Sequence, residues 1–230
     1  MILFYFHNSL YLHSFGNKNK NIVANISYIA FREQFVKYGC FSINQVRIWQ
    51  SGFDENNFTR WCGQGLLIRL RRGWYAFPEC RKIPDFGRYI AGKIYKPSYI
   101  SLHTALSFYG MIPESVVSIN SVSTLKTTSF SNDFGEYTYQ SIKPSLFFGF
   151  ELKKTSDGRS IPFATPEKAL LDLLYLYPMY KTKDDMADLR LDEDFMRDEL
   201  NTRRLYDYLG KFDNKALESR VITLSKVYGL

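Results

Sequence analysis

Between Asn56 and Gln64 the chain carries Asn56, Asn57, Thr59, Arg60 and Gln64, side chains able to bond the edges of bases. Asparagine and glutamine can bond adenine bidentately and arginine can bond guanine, each good pair giving about 1–3 kcal/mol of discrimination. Phe58, Trp61 and Cys62 recur among them at i, i+3 and i+4, so a helix over this stretch turns those three inward and leaves the five polar residues outward. A few residues further on, Arg69, Arg71 and Arg72 load a short segment that ends in Gly73. Arginines at such a tip suit phosphate oxygens or a narrow minor groove. Arg47 is a further phosphate candidate, and Ser42 with the amides behind it is a helix start that can hold a phosphate.

The punctuation around these residues specifies the elements that carry them. Ser42-Ile43-Asn44-Gln45 reads as a capping box opening one short helix, Ser51-Gly52 breaks that helix, and Asp54 can cap a second one running to Gln64. After Gly65 the period changes to that of strands, with 66–70 and 74–77 joined by a tight turn at Arg71-Arg72-Gly73. Upstream, Tyr28, Phe31, Phe35 and Tyr38 share one face of a helix predicted over 27–38, which Gly39 stops. Three helices and a hairpin with a cationic tip make a winged helix-turn-helix, a shape that reads duplex DNA.

Charge follows the same boundary. The chain of 230 residues has a net charge of +7, yet 83–230 hold 19 basic and 19 acidic residues, while 26–82 hold nine basic and four acidic. A surplus confined to the helix-turn-helix stretch points to a polyanionic partner. Cys40, Cys62 and Cys80 are odd in number, form no C-x-x-C pair and have no neighbouring histidines, which supports neither a disulfide framework nor a metal site. They are expected to be reduced and partly buried in a cytoplasmic protein. The apolar start, Met1 to Phe6, lacks the basic n-region and cleavage site of a signal peptide, and no run approaches the roughly 20 apolar residues of a membrane span.

The predicted organisation is a leader or loosely ordered arm over 1–25, the winged helix over 26–82, a linker over 78–84, and a larger α/β domain over 85–230. The fold class is therefore α+β, mixed, with helices at the C-terminal end. In the second domain Asp85 is expected to cap a helix to about Tyr95, and Ser101 to open another through Tyr109. Strands are predicted over 116–125, 136–142, 146–153 and 159–164, with turns at Ser131-Asn132-Asp133 and Ser156-Asp157-Gly158. Thr165-Pro166-Glu167 starts a helix with a threonine cap, proline at the first position and an acid facing the positive end of the dipole. From Asp192 to the end the chain is helical again, with Leu205, Tyr208, Leu209, Leu217, Val221, Leu224 and Val227 as core positions.

Three segments together resemble a known family. The order Phe41-Ser42 to Val46, Phe58 to Trp61, Gly65-Leu66-Leu67 and Arg69 to Tyr75 is similar to the N-terminal winged helix of AbiEi-type antitoxins of bacterial abortive-infection toxin-antitoxin systems. Tyr99 to Glu114 and Ala164 to Leu173 resemble two segments of that family's C-terminal domain. The resemblance implies a transcriptional regulator that binds operator repeats in double-stranded DNA and represses its own operon. It also implies that the C-terminal domain counteracts a cognate nucleotidyltransferase-like toxin. In this reading the protein is no enzyme and needs no metal or cofactor, Leu102, Ala105, Leu106 and Phe108 are core, and Asp172 is a surface or paired acid. Residues 1–21 and the acidic stretch over 183–199 fall outside the family pattern.

Other readings compete. A plain winged-helix regulator would have no toxin partner. An adaptor whose winged helix serves a protein partner would bind with little salt dependence. A metal-dependent nuclease would use Asp133 with Glu151 and Lys153, which echo the acid, acid-x-lysine pattern that holds a divalent ion and activates water.

Overall fold

A computed structural model describes residues 26–230, so the expected arm over 1–25 lies outside the described residues. Helix α1 (Tyr28–Phe35) is capped by Ser27, whose hydroxyl accepts from the Ala30 amide, and it runs through a 3₁₀ turn to Gly39. A strand that sequence patterning missed follows, β1 (Cys40–Ser42). Helix α2 (Ile43–Trp49) then opens on the expected capping box: the Ser42 hydroxyl accepts from the Gln45 amide, and the Gln45 side chain accepts from the Ser42 amide at 2.8 Å. Because the Ser42 hydroxyl satisfies a Gln45 amide that has no partner within the helix, Ser42→Ala is expected to lower stability by about 1 kcal/mol, read as a shift in denaturation midpoint with unchanged m-value.

Helix α3 (Asn56–Gly63) begins one residue later than a cap at Asp54 implies. The Asp54 carboxylate still accepts from the Asn56 amide at 3.0 Å, but Glu55 holds the cap position without a capping bond. Strands β2 (Ile68–Arg71) and β3 (Trp74–Ala76) form the hairpin, with Gly73 at φ 75° in its turn, a conformation that disfavours side chains. The three strands make an antiparallel sheet in the order β1-β3-β2. The Gly73 carbonyl accepts from the Ile43 amide at 2.9 Å, fixing the hairpin turn to the start of α2. Phe31 is the centre of the core beneath, with the rings of Trp61, Phe35 and Phe41 at 4.8, 4.9 and 5.3 Å, and Phe58 stacks on Tyr75 at 4.5 Å.

The predicted linker is instead a packed 3₁₀ turn, Pro78–Lys82, in which the buried Cys80 thiol donates to the Gly39 carbonyl. Helix α4 (Phe86–Ile94) starts at Asp85, but the carboxylate pairs with Arg88 at 2.6 Å rather than capping the backbone. Strand β4 (Ser98–Ile100) and helix α5 (Leu102–Phe108) follow, then β5 (Ile119–Ser123), β6 (Thr128–Asn132), β7 (Gly135–Ser141), β8 (Phe150–Lys154) and β9 (Ser160–Ala164). These six strands make one mixed sheet in the order β6-β7-β5-β4-β9-β8, with β4 parallel to β9 and β5 parallel to β7. Helix α6 (Pro166–Leu176) starts as predicted, the Thr165 hydroxyl accepting from the Lys168 amide. Then come α7 (Lys183–Ala187), a π-helical turn at Phe195–Glu199, α8 (Thr202–Phe212) and α9 (Lys215–Tyr228). The mixed α+β class is thus observed.

At the centre of this second unit lies a charged pair rather than an apolar plug. Lys168 and Asp172, one turn apart on α6, are both 0% exposed and bonded to each other. The second Asp172 oxygen accepts from the Tyr99 hydroxyl at 2.9 Å and the Ser101 hydroxyl at 2.8 Å, so Ser101, expected to cap α5, serves the pair instead. The Lys168 ammonium lies 5.0 and 4.9 Å from the ring centroids of Phe148 and Phe212. Gly149 makes room for its stem: at φ 73° a Cβ there would sit 3.0 Å from Lys168 Cγ.

Candidate nucleic-acid interface

The polar side of α3 is largely as its spacing predicts. Asn56, Thr59, Arg60 and Gln64 are exposed, while Phe58 and Trp61 are buried. Asn57 is the exception, at 3% exposure. Positions 57, 58 and 61 span one side of the helix, since i and i+4 lie one above the other and i+1 is only about 100° away, so Asn57 turns inward with the aromatics. Its amide oxygen accepts from the Arg60 guanidinium, which makes Asn57 a support for Arg60 and corrects its assignment as an outward base reader.

The hairpin arginines divide three ways. Strand alternation leaves Arg69 exposed between buried Ile68 and Leu70. It lies near the C-terminal end of α3, where its charge lowers the Cys62 thiol against the larger effect of burial, which raises it. Arg72 is exposed at the tip, and neither Arg69 nor Arg72 has an ion-pair partner among the described residues. Arg71 points away. A bulge between Arg69 and Arg71 shifts the register, and the Arg71 guanidinium lies 4.7 Å from the ring centroids of both Tyr95 and Phe130 in the second unit. Arg71, expected as a wing contact, is thus half-buried with its charge against two aromatic faces of the second unit.

Arg71 belongs to a seam between two sheet edges. β2 ends one sheet and β6 ends the other, and the two lie side by side. The Asn132 amide nitrogen donates to the Leu70 carbonyl at 3.1 Å, Arg81 pairs with Asp133 at 2.5 Å, and the Tyr89 hydroxyl donates to the Tyr38 carbonyl at 3.2 Å. Sequence reasoning missed Tyr95, Phe130 and Asn132 as partners of the hairpin, and no local pattern marks them. β6 itself escaped notice because its residues, Thr-Ser-Phe-Ser-Asn, carry little apolar signal.

On α2, Arg47 is exposed but bonded to Glu55 at 2.6 Å, and this hydrogen bond holds its guanidinium above the usual range. A phosphate would have to compete with that carboxylate. The Ser42 amide and hydroxyl, proposed as a phosphate cradle, are engaged by Gln45 in the capping box, which corrects that expectation.

The nuclease constellation is not brought together. Asp133 sits in the turn after β6, at one edge of the six-stranded sheet, where it pairs with Arg81. Glu151 and Lys153 lie on β8, at the opposite edge, paired with each other at 2.6 Å. Among the described residues no group of three or more histidine, cysteine, aspartate or glutamate side chains is placed to hold a metal ion, and no helix is long and apolar enough to cross a membrane. Cys40 and Cys80 are buried and Cys62 half-buried, all three as free thiols, and burial pushes the Cys40 thiol up to about 12. Compared with known proteins, the chain matches no family model and no curated protein.

Proposed function

We propose that residues 26–82 form a winged helix-turn-helix and that the chain binds double-stranded DNA with α3 in the major groove and the hairpin on the flanking backbone. The observation that carries this reading is an exposed Asn56, Thr59, Arg60 and Gln64 face beside two exposed arginines on the adjoining hairpin, Arg69 and Arg72, that have no ion-pair partner among the described residues. The local charge surplus supports it, because each phosphate neutralised by such a side chain releases counterions. Following the resemblance to AbiEi-type antitoxins, the operator is the upstream region of the chain's own operon. The second unit then opposes a co-expressed nucleotidyltransferase-like toxin in the bacterial cytoplasm.

The test is fluorescence anisotropy of full-length protein on its own upstream duplex and on scrambled duplexes over a range of salt. Arg60→Ala is expected to relax preference for the upstream sequence by about 1–3 kcal/mol at one base position. Binding to no duplex, or binding indifferent to salt, would overturn the reading.

A further inference from the structure

The second unit contains a cavity of about 400 Å³ that the DNA reading does not use, between the first turn of α5, the loop from Ile112 to Ser118, α6 and the segment after α7. Its volume is within the range of small-ligand sites. The floor is apolar: Leu106, Leu173 and Ile112 are buried there. The wall and rim are polar, with Glu114 and Asp188 as their two acids beside serine and asparagine side chains. His103 is half-buried against them, and its ring nitrogens make no hydrogen bond among the described residues. Burial holds the imidazole below its usual range, with Glu114 opposing, so at neutral pH it offers one nitrogen as an acceptor. At the rim Glu114 is bonded to the exposed Arg190 at 3.2 Å, whereas the Asp188 carboxylate has no ion-pair partner among the described residues. The backbone that presents His103 is itself unusual: Leu102, a buried non-glycine residue, is held at φ 56°. Such left-handed conformations cost on the order of 1–3 kcal/mol and collect at binding and catalytic sites.

We propose that this cavity binds an alkylammonium group, its apolar stem on the Leu106, Leu173 and Ile112 floor and its ammonium between His103 and Asp188. The stem matches the floor, the cation matches the Asp188 carboxylate, and the ammonium hydrogens match the imidazole acceptor. A small amine and a lysine side chain of a partner polypeptide carry the same group.

The experiment uses full-length protein and follows the His103 ring resonances by NMR, identified by their loss in His103→Gln. Pentylamine is expected to shift them saturably, with pentanol and pentanoate at least tenfold weaker, since a hydrogen bond to a charged group contributes about 1.5–3 kcal/mol. Asp188→Asn, an exposed position, is expected to weaken pentylamine by about two- to fivefold, the worth of a solvent-screened ion pair. A capped Leu-Lys-Leu tripeptide distinguishes the sources: tighter binding than pentylamine assigns the site to a partner's lysine, weaker binding to a free amine. Pentanol binding as well as pentylamine, an unchanged affinity in Asp188→Asn, or no shift with any probe would overturn the proposal.

Discussion

Lys168→Ala is expected to destabilise the protein by about 3–5 kcal/mol, because it leaves the Asp172 carboxylate buried without its cation. Burial works against both charges, pushing the Asp172 carboxyl up and the Lys168 ammonium down, and each partner opposes this for the other. Total stabilities run at about 5–15 kcal/mol, so the loss is a large fraction of the whole. The contrasting variant is the double replacement Lys168→Met with Asp172→Leu, which removes both charges at similar volume. It is expected to retain most of the stability or exceed it, though the Tyr99 and Ser101 hydroxyls then lose their acceptor. Chemical denaturation provides the measurement, and the three tryptophans, Trp49, Trp61 and Trp74, all report on the first unit. Since one apolar cluster runs through both units, the tryptophan signal and the far-ultraviolet circular dichroism of Lys168→Ala should shift together. A cost below about 1 kcal/mol would show that the pair is not the keystone its burial implies.

Replacing Arg69 and Arg72 together by alanine is expected to flatten the dependence of log affinity on log salt by about two units, at a slope of roughly 0.9 per phosphate contact. The loss of affinity near 0.1 M salt should be on the order of tenfold for each arginine. Arg71→Ala is expected to leave the slope nearly unchanged, because its guanidinium lies against Tyr95 and Phe130 rather than toward solvent. The comparison separates two arginines adjacent in sequence. If Arg71→Ala flattens the slope as much as Arg72→Ala does, the hairpin turns its charge outward on DNA and the seam does not hold it.

Much of this architecture was legible from local chemistry. The Ser42 and Gln45 capping box, the stops at Gly39 and Gly73, and the threonine and proline opening α6 are short-range signals, and each falls where the structure has a boundary. The segments that escaped notice owe their form to distant partners. β1 and β4 are three-residue strands, too short for alternation to declare itself, and they exist because β3, β5 and β9 lie beside them. Asn57 looked polar and outward until helix geometry set it beside Phe58 and Trp61. Arg71 was read correctly as a cation on a hairpin, but a bulge and two aromatic rings far along the chain decided where it points. The Lys168 and Asp172 spacing of four on a strongly apolar helix was readable as an ion pair, and only the fold shows that water is excluded from it.

The meeting of β2 and β6 bears on how such a chain can be taken apart. A strand with a bare flank invites strangers to extend the sheet, and these two flanks shield one another. Severing the chain after Lys82 would uncover the backbone of one and strip Arg71 of its aromatic bed, leaving each fragment prone to clump or to recapture the other. The two halves are therefore expected to purify best as a single piece.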